Sequence, residues 1–230
     1  MEPVDILVFG AHADDAEIGM GGTIAKHTEA GYRVAICDLT EAEMSSNGTV
    51  ELRRQEAAAA SAVLGLCERS NLRLPDRGLA TERVQIEAIV AEIRRLRPRI
   101  VFAPYWVDRH PDHVQCSKLI EEAVFNAKLR NYLPDFSPVQ VESLMYYYIN
   151  DVESVSLVVD ITSSYEAKRK ALRAYRSQFD LAASPGSVAT PLTNGYLERV
   201  EARDSLLAQG RGWSYAEGFA IKRPFGVSLF

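Results

Sequence analysis

Apolar positions along the chain follow two rhythms, short unbroken runs and longer stretches with a three-to-four spacing. Ile6-Leu7-Val8-Phe9, Val34-Ala35-Ile36-Cys37 and Ile100-Val101-Phe102-Ala103 are unbroken, as in strands covered on both faces of a parallel sheet. Strands are predicted over residues 5–10, 33–39, 71–74, 100–103, 143–149 and 156–160, with a last one over 219–221 at the sheet edge. Helices are predicted over 19–30, from Thr49 as N-cap to 64, and from Thr81 as N-cap to just before Pro98. Further helices run to about 129 after the fourth strand, over 163–179 and over 196–208. Gly31 and Gly65 stand where glycine favours a helix end, and Ser163 with Glu166 has the spacing of a capping box. Ile86, Ile89, Val90, Ile93 and Leu96 set the apolar stripe of the third helix.

The opening strand, helix and strand form a right-handed βαβ unit. The predicted fold is α/β, a Rossmann-like three-layer sandwich with a mostly parallel central sheet. The glycines after the first strand, Gly19, Gly21 and Gly22, do not have the GxGxxG spacing, so dinucleotide binding is disfavoured. Residues 180–194, with Pro185, Gly186 and Pro191, form a long loop of the functional or disordered kind. No repeat or linker interrupts the pattern. One domain over residues 1–230 is expected.

Composition adds exclusions. The chain is 47% hydrophobic and 25% charged, ordinary for a globular protein, and it has no apolar run of membrane-spanning length. Its net charge of −5 offers no footprint for nucleic acid. Arg94, Arg95, Arg97 and Arg99 gather at one predicted helix end and read as solvated surface that complements the helix dipole. The start Met1-Glu2-Pro3 lacks a signal-peptide pattern. Cys37, Cys67 and Cys116 are widely spaced and odd in number, as expected for free buried thiols in a reducing compartment. A cytoplasmic location is expected.

The candidate chemistry lies directly after two strands. His12-Ala13-Asp14-Asp15 follows the first, and Asp108-Arg109-His110-Pro111-Asp112-His113 follows the fourth. In open α/β sheets ligands bind at the carboxyl ends of strands, and three of the chain's four histidines fall there. The fourth, His27, reads as a surface residue. If the two strands are neighbours, about 4.8 Å apart, both clusters open on one site. Imidazole and carboxylate together suit a divalent metal with an open position for water. His12, Asp15 and His113 are the candidate ligands, and Asp14 is left to take a proton from a metal-bound water. His110 is placed to stabilise an oxyanion or protonate a leaving amine. Asp112 either orients a ligand imidazole or caps the following helix.

The pairing of Ala11-His12-Ala13-Asp14-Asp15 with His110-Pro111-Asp112-His113 resembles the PIG-L/LmbE-like zinc N-deacetylases of N-acetylglucosamine derivatives. Cys37-Asp38-Leu39-Thr40-Glu41-Ala42, Leu74-Pro75-Asp76-Arg77-Gly78, Ala174-Tyr175-Arg176-Ser177-Gln178-Phe179 and Tyr215-Ala216-Glu217-Gly218-Phe219 are similar to the bacillithiol branch, the N-acetylglucosaminyl-L-malate deacetylases. The resemblance implies zinc, one per chain, with Fe2+ or another divalent metal as alternatives, on His12, Asp15 and His113. It implies Asp14 as general base and His110 at the tetrahedral intermediate. It also implies Arg53, Arg109 and Tyr196 as substrate contacts, and a homo-oligomer, hexameric in close members of the family. The expected partner is a small amino-sugar conjugate, without nucleic acid or membrane. Two alternatives stand beside it: a deacetylase of another GlcNAc-containing substrate, such as a chitooligosaccharide or thiol conjugate, and a non-catalytic Rossmann-like binding module.

Overall fold

Alternate residues of the first strand feed two separate cores. In β1 (Ile6–Gly10), Leu7 and Phe9 join one buried cluster while Ile6 and Val8 join the other. That is the period-two pattern of a strand covered on both faces. The computed structural model, which describes residues 2–183 and 186–224, shows why. One layer of helices, α3 (Arg83–Leu96) and α4 (Pro111–Ala127), packs on the Leu7/Phe9 face. The opposite layer holds α1 (Asp15–Glu29), α2 (Val50–Leu64), α5 (Tyr165–Ala174) and α7 (Tyr196–Leu207). The three-layer α/β sandwich is thus as expected.

The sheet also contains β2 (Val34–Thr40), β3 (Glu68–Leu74), β4 (Ile100–Pro104), β5 (Ser143–Tyr147), β6 (Leu157–Asp160) and β7 (Ala216–Ala220). Its order is β3-β2-β1-β4-β5-β7-β6. Strands β1 and β4 pair in parallel, with Ile6 opposite Ile100 and Val8 opposite Phe102. The chain leaves β1 toward β2 and later returns to lay β4 on its other side. The carboxyl ends of β1 and β4 therefore frame the topological switch point, where an open α/β sheet leaves a crevice for ligands.

Several expectations are corrected. The last strand is not an edge: β7 lies between β5 and β6 and is antiparallel to both. The helix predicted over 163–179 breaks at Tyr175 (φ −83°, ψ 58°), so that α6 (Arg176–Phe179) is separate from α5. The N-cap of α5 is Ser164 rather than Ser163, with no side-chain capping bond. Glu82, not Thr81, precedes α3. Cys67 is exposed, unlike Cys37 and Cys116. Arg94 is buried rather than solvated: its guanidinium donates to the carbonyls of Asn126, Ala127, Leu129, Tyr132, Leu133 and Phe136, tying off the end of α4. Ser184 and Pro185 of the predicted 180–194 loop lie outside the described residues. No helix among the described residues is long and apolar enough to cross a membrane.

Helix α1 starts four residues earlier than its apolar pattern predicts and is kinked at Met20 (φ −149°, ψ 23°). The kink frees backbone N–H groups that need partners. Glu217, carried on β7, supplies them: its carboxylate accepts from Gly22 N at 2.9 Å and Thr23 N at 2.7 Å. Fully buried Lys168 bridges Glu217 and Asp204 at 2.7 and 2.6 Å. The glycines that fail the dinucleotide pattern serve packing. A Cβ on Gly19 would lie 2.1 Å from the Tyr147 ring, and one on Gly22 would lie 2.7 Å from Ile161.

Candidate active site

Chain geometry at the end of β1 places the first cluster. Asp14 sits at φ 118°, a left-handed conformation costly for a residue with a side chain, and precedes α1 directly. The turn lets Asp15 fold back so that its Oδ2 accepts the His12 backbone N–H at 3.0 Å. After β4, residues 105–110 lead into α4. His110 is the N-cap of that helix, its Nδ1 accepting the Asp112 N–H at 3.2 Å, and Pro111 occupies the first turn, where its missing N–H costs nothing.

The two clusters meet. His113 Nε2 lies 3.1 Å from Asp15 Oδ1, and His12 Nδ1 lies 3.7 Å from Asp15 Oδ2. The rings of His12, His110 and His113 bring nitrogens within 4.8 Å of one another. His12 and His113 are each backed by carboxylate on the far nitrogen. His12 Nε2 faces Asp76 at 3.3 Å and Asp112 at 3.6 Å, and His113 Nδ1 faces Asp108 at 3.0 Å. A buried His/His/Asp set whose imidazoles are braced from behind fits a divalent cation held by nitrogen and oxygen donors. His110 has already spent Nδ1 on the helix cap, which leaves only its Nε2 for any other task.

Electrostatics separate these groups. Burial pushes Asp14 up to about 7, although the Arg53 guanidinium pulls the other way. Burial also opposes ionisation of Asp15, but His113 and His12 outweigh it and hold Asp15 well below the usual carboxylate range. Burial lowers His110 to about 4, helped by the neighbouring His113 and His12. For His113, burial is overcome by Asp15 and Asp108, which raise it to about 9. His12 is likewise held well above its ordinary value, against burial, by Asp112, Asp15 and Asp76. Two adjacent aspartates thus have opposite tendencies, and two histidines three positions apart do as well.

All five residues line one cavity of about 590 Å³, together with Arg53, Asp76, Arg77, Arg109, Asn150 and Tyr196. Arg53 is buried and committed to protein: Nη1 donates to Ala13 O at 2.5 Å and to Asp14 Oδ2 at 3.0 Å, and Nη2 to Ser45 Oγ at 3.2 Å. Arg109 is exposed at the cavity and has no hydrogen-bond or ion-pair partner among the described residues. The Tyr196 hydroxyl donates to Ile149 O and Asn150 Oδ1, both at 3.2 Å. Asp112 accepts from Arg77 N at 2.9 Å and pairs with the Arg77 guanidinium at 3.2 Å, besides facing His12. His27 lies outside the cavity, hydrogen-bonded within its own helix to Thr23 O.

Sequence reasoning passed over Asp76, Asp108 and Asn150. Asp76 reads as an ordinary turn residue in Pro75-Asp76-Arg77-Gly78. Asp108 had a usable signal, a carboxylate five residues before His113 in a post-strand cluster. Asn150 had none, since nothing in its local sequence marks it.

Residues 7–124 match the family model described as PIG-L: GlcNAc-PI de-N-acetylase. The diacetylchitobiose deacetylase of Thermococcus kodakarensis is 34% identical over 189 residues, 76% of this chain and 70% of that protein. The crystal structure of a conserved protein from Thermus thermophilus superposes with a TM-score of 0.89 at 39% identity, covering 97% of both chains. That of the N,N'-diacetylchitobiose deacetylase from Pyrococcus horikoshii, complexed with its inhibitor, superposes with a TM-score of 0.82 at 27% identity, covering 96% of this chain and 84% of that one.

Proposed function

The chain belongs to the PIG-L family of N-deacetylases, and on that premise we propose that it is a zinc-dependent hydrolase removing acetyl from N-acetylglucosaminyl-L-malate, a step of bacillithiol biosynthesis. The observation that carries the reading is one cavity lined by a candidate ligand set, a buried carboxylate, an imidazole and a guanidinium unpaired among the described residues: His12/Asp15/His113, Asp14, His110 and Arg109.

A divalent cation on His12, Asp15 and His113 supplies Lewis acidity toward the acetyl carbonyl and makes water easier to deprotonate. Asp14 provides the base. Arg53 occupies its Oδ2, and Oδ1, which has no hydrogen bond to the described residues, takes the water proton. The water oxygen bonds to the acetyl carbon as the carbonyl π electrons move onto oxygen. His110 acts on that oxygen. Because its Nδ1 accepts the Asp112 N–H, the neutral ring carries its proton on Nε2 and is a hydrogen-bond donor without net charge. The C–N bond then breaks, the amine nitrogen receives the proton held by Asp14, and the free amine leaves with acetic acid, which releases its proton to solvent as acetate.

Arg109 supports the anionic aglycone. A guanidinium without a partner among the described residues, at a pocket mouth, matches a carboxylate by its planar fork. This reading assigns Arg53, the other arginine expected at the substrate, to Asp14, whose Oδ2 it meets at 3.0 Å, rather than to malate. A neutral oligosaccharide is the second reading, favoured by the similarity to diacetylchitobiose deacetylases.

The test offers purified, metal-analysed enzyme N-acetylglucosaminyl-malate, free N-acetylglucosamine and diacetylchitobiose side by side and measures acetate release. The highest kcat/KM is expected for the malate conjugate. Equal or greater efficiency on diacetylchitobiose would overturn the substrate assignment.

A further inference from the structure

Asp108 is the most connected carboxylate around the cluster, yet it touches neither the cavity's candidate base nor its ligand carboxylate. Its Oδ1 accepts three N–H groups: the His110 backbone at 2.7 Å, Asn150 Nδ2 at 2.9 Å and the His113 ring Nδ1 at 3.0 Å. Its Oδ2 faces Asn150 again, at 3.2 Å from Nδ2 and 3.3 Å from the backbone N. The side chain is 4% exposed. Asn150 is itself oriented, because its Oδ1 accepts from the Tyr196 hydroxyl and its Nδ2 must therefore point to Asp108.

The arrangement constrains His113. A carboxylate oxygen 3.0 Å from Nδ1 requires a proton there, since two lone pairs at that distance repel. Nε2, 3.1 Å from Asp15 Oδ1, faces the candidate ligand carboxylate, so a cation shared with Asp15 would displace the Nε2 proton and leave Nδ1–H on Asp108. The N–H donors from His110 and Asn150 fix the carboxylate in position and compensate its charge, so that it cannot swing away. It also holds the start of α4 through His110 N, tying the two ends of the His110–His113 segment to one anchor.

We propose that Asp108, braced by Asn150, is a positioning residue that sets the tautomer and ring plane of His113 for the divalent cation. The inference rests on the His12/Asp15/His113 reading of the site. Outer carboxylates of this kind typically contribute about 10- to 100-fold in metal affinity. Asp108→Asn keeps the shape while losing the charge, and Asn150→Ala removes the brace without touching either histidine.

The experiment measures zinc affinity of the full-length protein by competition with a chromogenic chelator. It is paired with proton NMR of the cobalt(II)-substituted protein, in which ring N–H protons of ligand histidines are shifted outside the ordinary envelope and exchange with solvent. Two such resonances are expected in the wild type, from His113 Nδ1–H and from His12 Nε2–H beside Asp76. Asp108→Asn is expected to weaken zinc binding about 10- to 100-fold and to move or lose one resonance while the other stays. Asn150→Ala is expected to act on the same resonance with a smaller loss of affinity. Wild-type affinity and two unmoved resonances in Asp108→Asn would overturn the positioning role alone. A wild-type protein that takes up no zinc would overturn the ligand reading, and this inference with it.

Discussion

Replacing Arg53 separates two jobs that its place at the cavity allows. The guanidinium is buried and makes three bonds, to Ala13 O, Asp14 Oδ2 and Ser45 Oγ. Two of these hold both ends of the Ala13–Asp14 unit, whose φ of 118° at Asp14 costs about 1–3 kcal/mol and persists only when its surroundings over-determine it. On the proposed mechanism Arg53 therefore acts on the base rather than on the substrate. Arg53→Lys retains a positive charge but not the fork, so one cation cannot hold the Ala13 carbonyl, the carboxylate and Ser45 together. A hydrogen bond to a charged group contributes about 1.5–3 kcal/mol. At about 1.36 kcal/mol per tenfold in rate, loss of that bond at the transition state lowers kcat about 10- to 150-fold. KM should change less than about threefold if ground-state contacts are intact. Arg53→Ala goes further, leaving Asp14 as an unpaired buried acid, and should cost about 3–5 kcal/mol of stability. Steady-state deacetylation kinetics on metal-loaded Arg53→Lys, with a urea melt on Arg53→Ala, make the check. A raised KM with unchanged kcat would refute the argument and return Arg53 to the substrate.

Arg109→Ala should raise KM for the malate conjugate about tenfold, the worth of one charged contact, and leave KM for diacetylchitobiose unchanged; parallel changes on both would remove Arg109 from carboxylate recognition. Lys168→Met strands the buried carboxylates of Asp204 and Glu217 and should destabilise the fold by about 3–5 kcal/mol in urea unfolding, and a loss under about 1 kcal/mol would contradict the packing account. Gly19→Ala drives a methyl into the Tyr147 ring and should cost about 1–3 kcal/mol in a thermal melt; an unchanged melt would show that α1 shifts freely on the sheet.

The fold was legible where both faces of a strand are buried, because continuous apolar runs such as 6–9 and 100–103 have no other stable home. From that follows the meeting of His12 with His113, because β1 and β4 are neighbours. What stayed hidden depends on distant partners. Arg94 carries the charge of a surface residue, and only the six carbonyls that converge on it make burial tolerable. The strand β7 includes Glu217 and Gly218, poor strand formers, and its place inside the sheet is tied to the kink in α1 that Glu217 caps. That kink lies in a glycine-rich stretch whose spacing argued only against a dinucleotide. Asp76 and Asp108 were obscured by their settings, a turn and a polar loop, where aspartate is common for reasons of backbone conformation alone.

The two adjacent aspartates carry the central claim, that Asp15 holds the cation and Asp14 moves the proton. Acetate release and metal content, measured on the same samples of Asp14→Asn and Asp15→Asn, test it most directly. The account predicts that Asp14→Asn keeps its metal and loses about 10²- to 10⁴-fold in kcat, whereas Asp15→Asn loses the metal together with activity. An Asp14→Asn enzyme that turns over within about tenfold of wild type, too small a loss for a general base, or an Asp15→Asn enzyme that retains a full equivalent of metal, would contradict it.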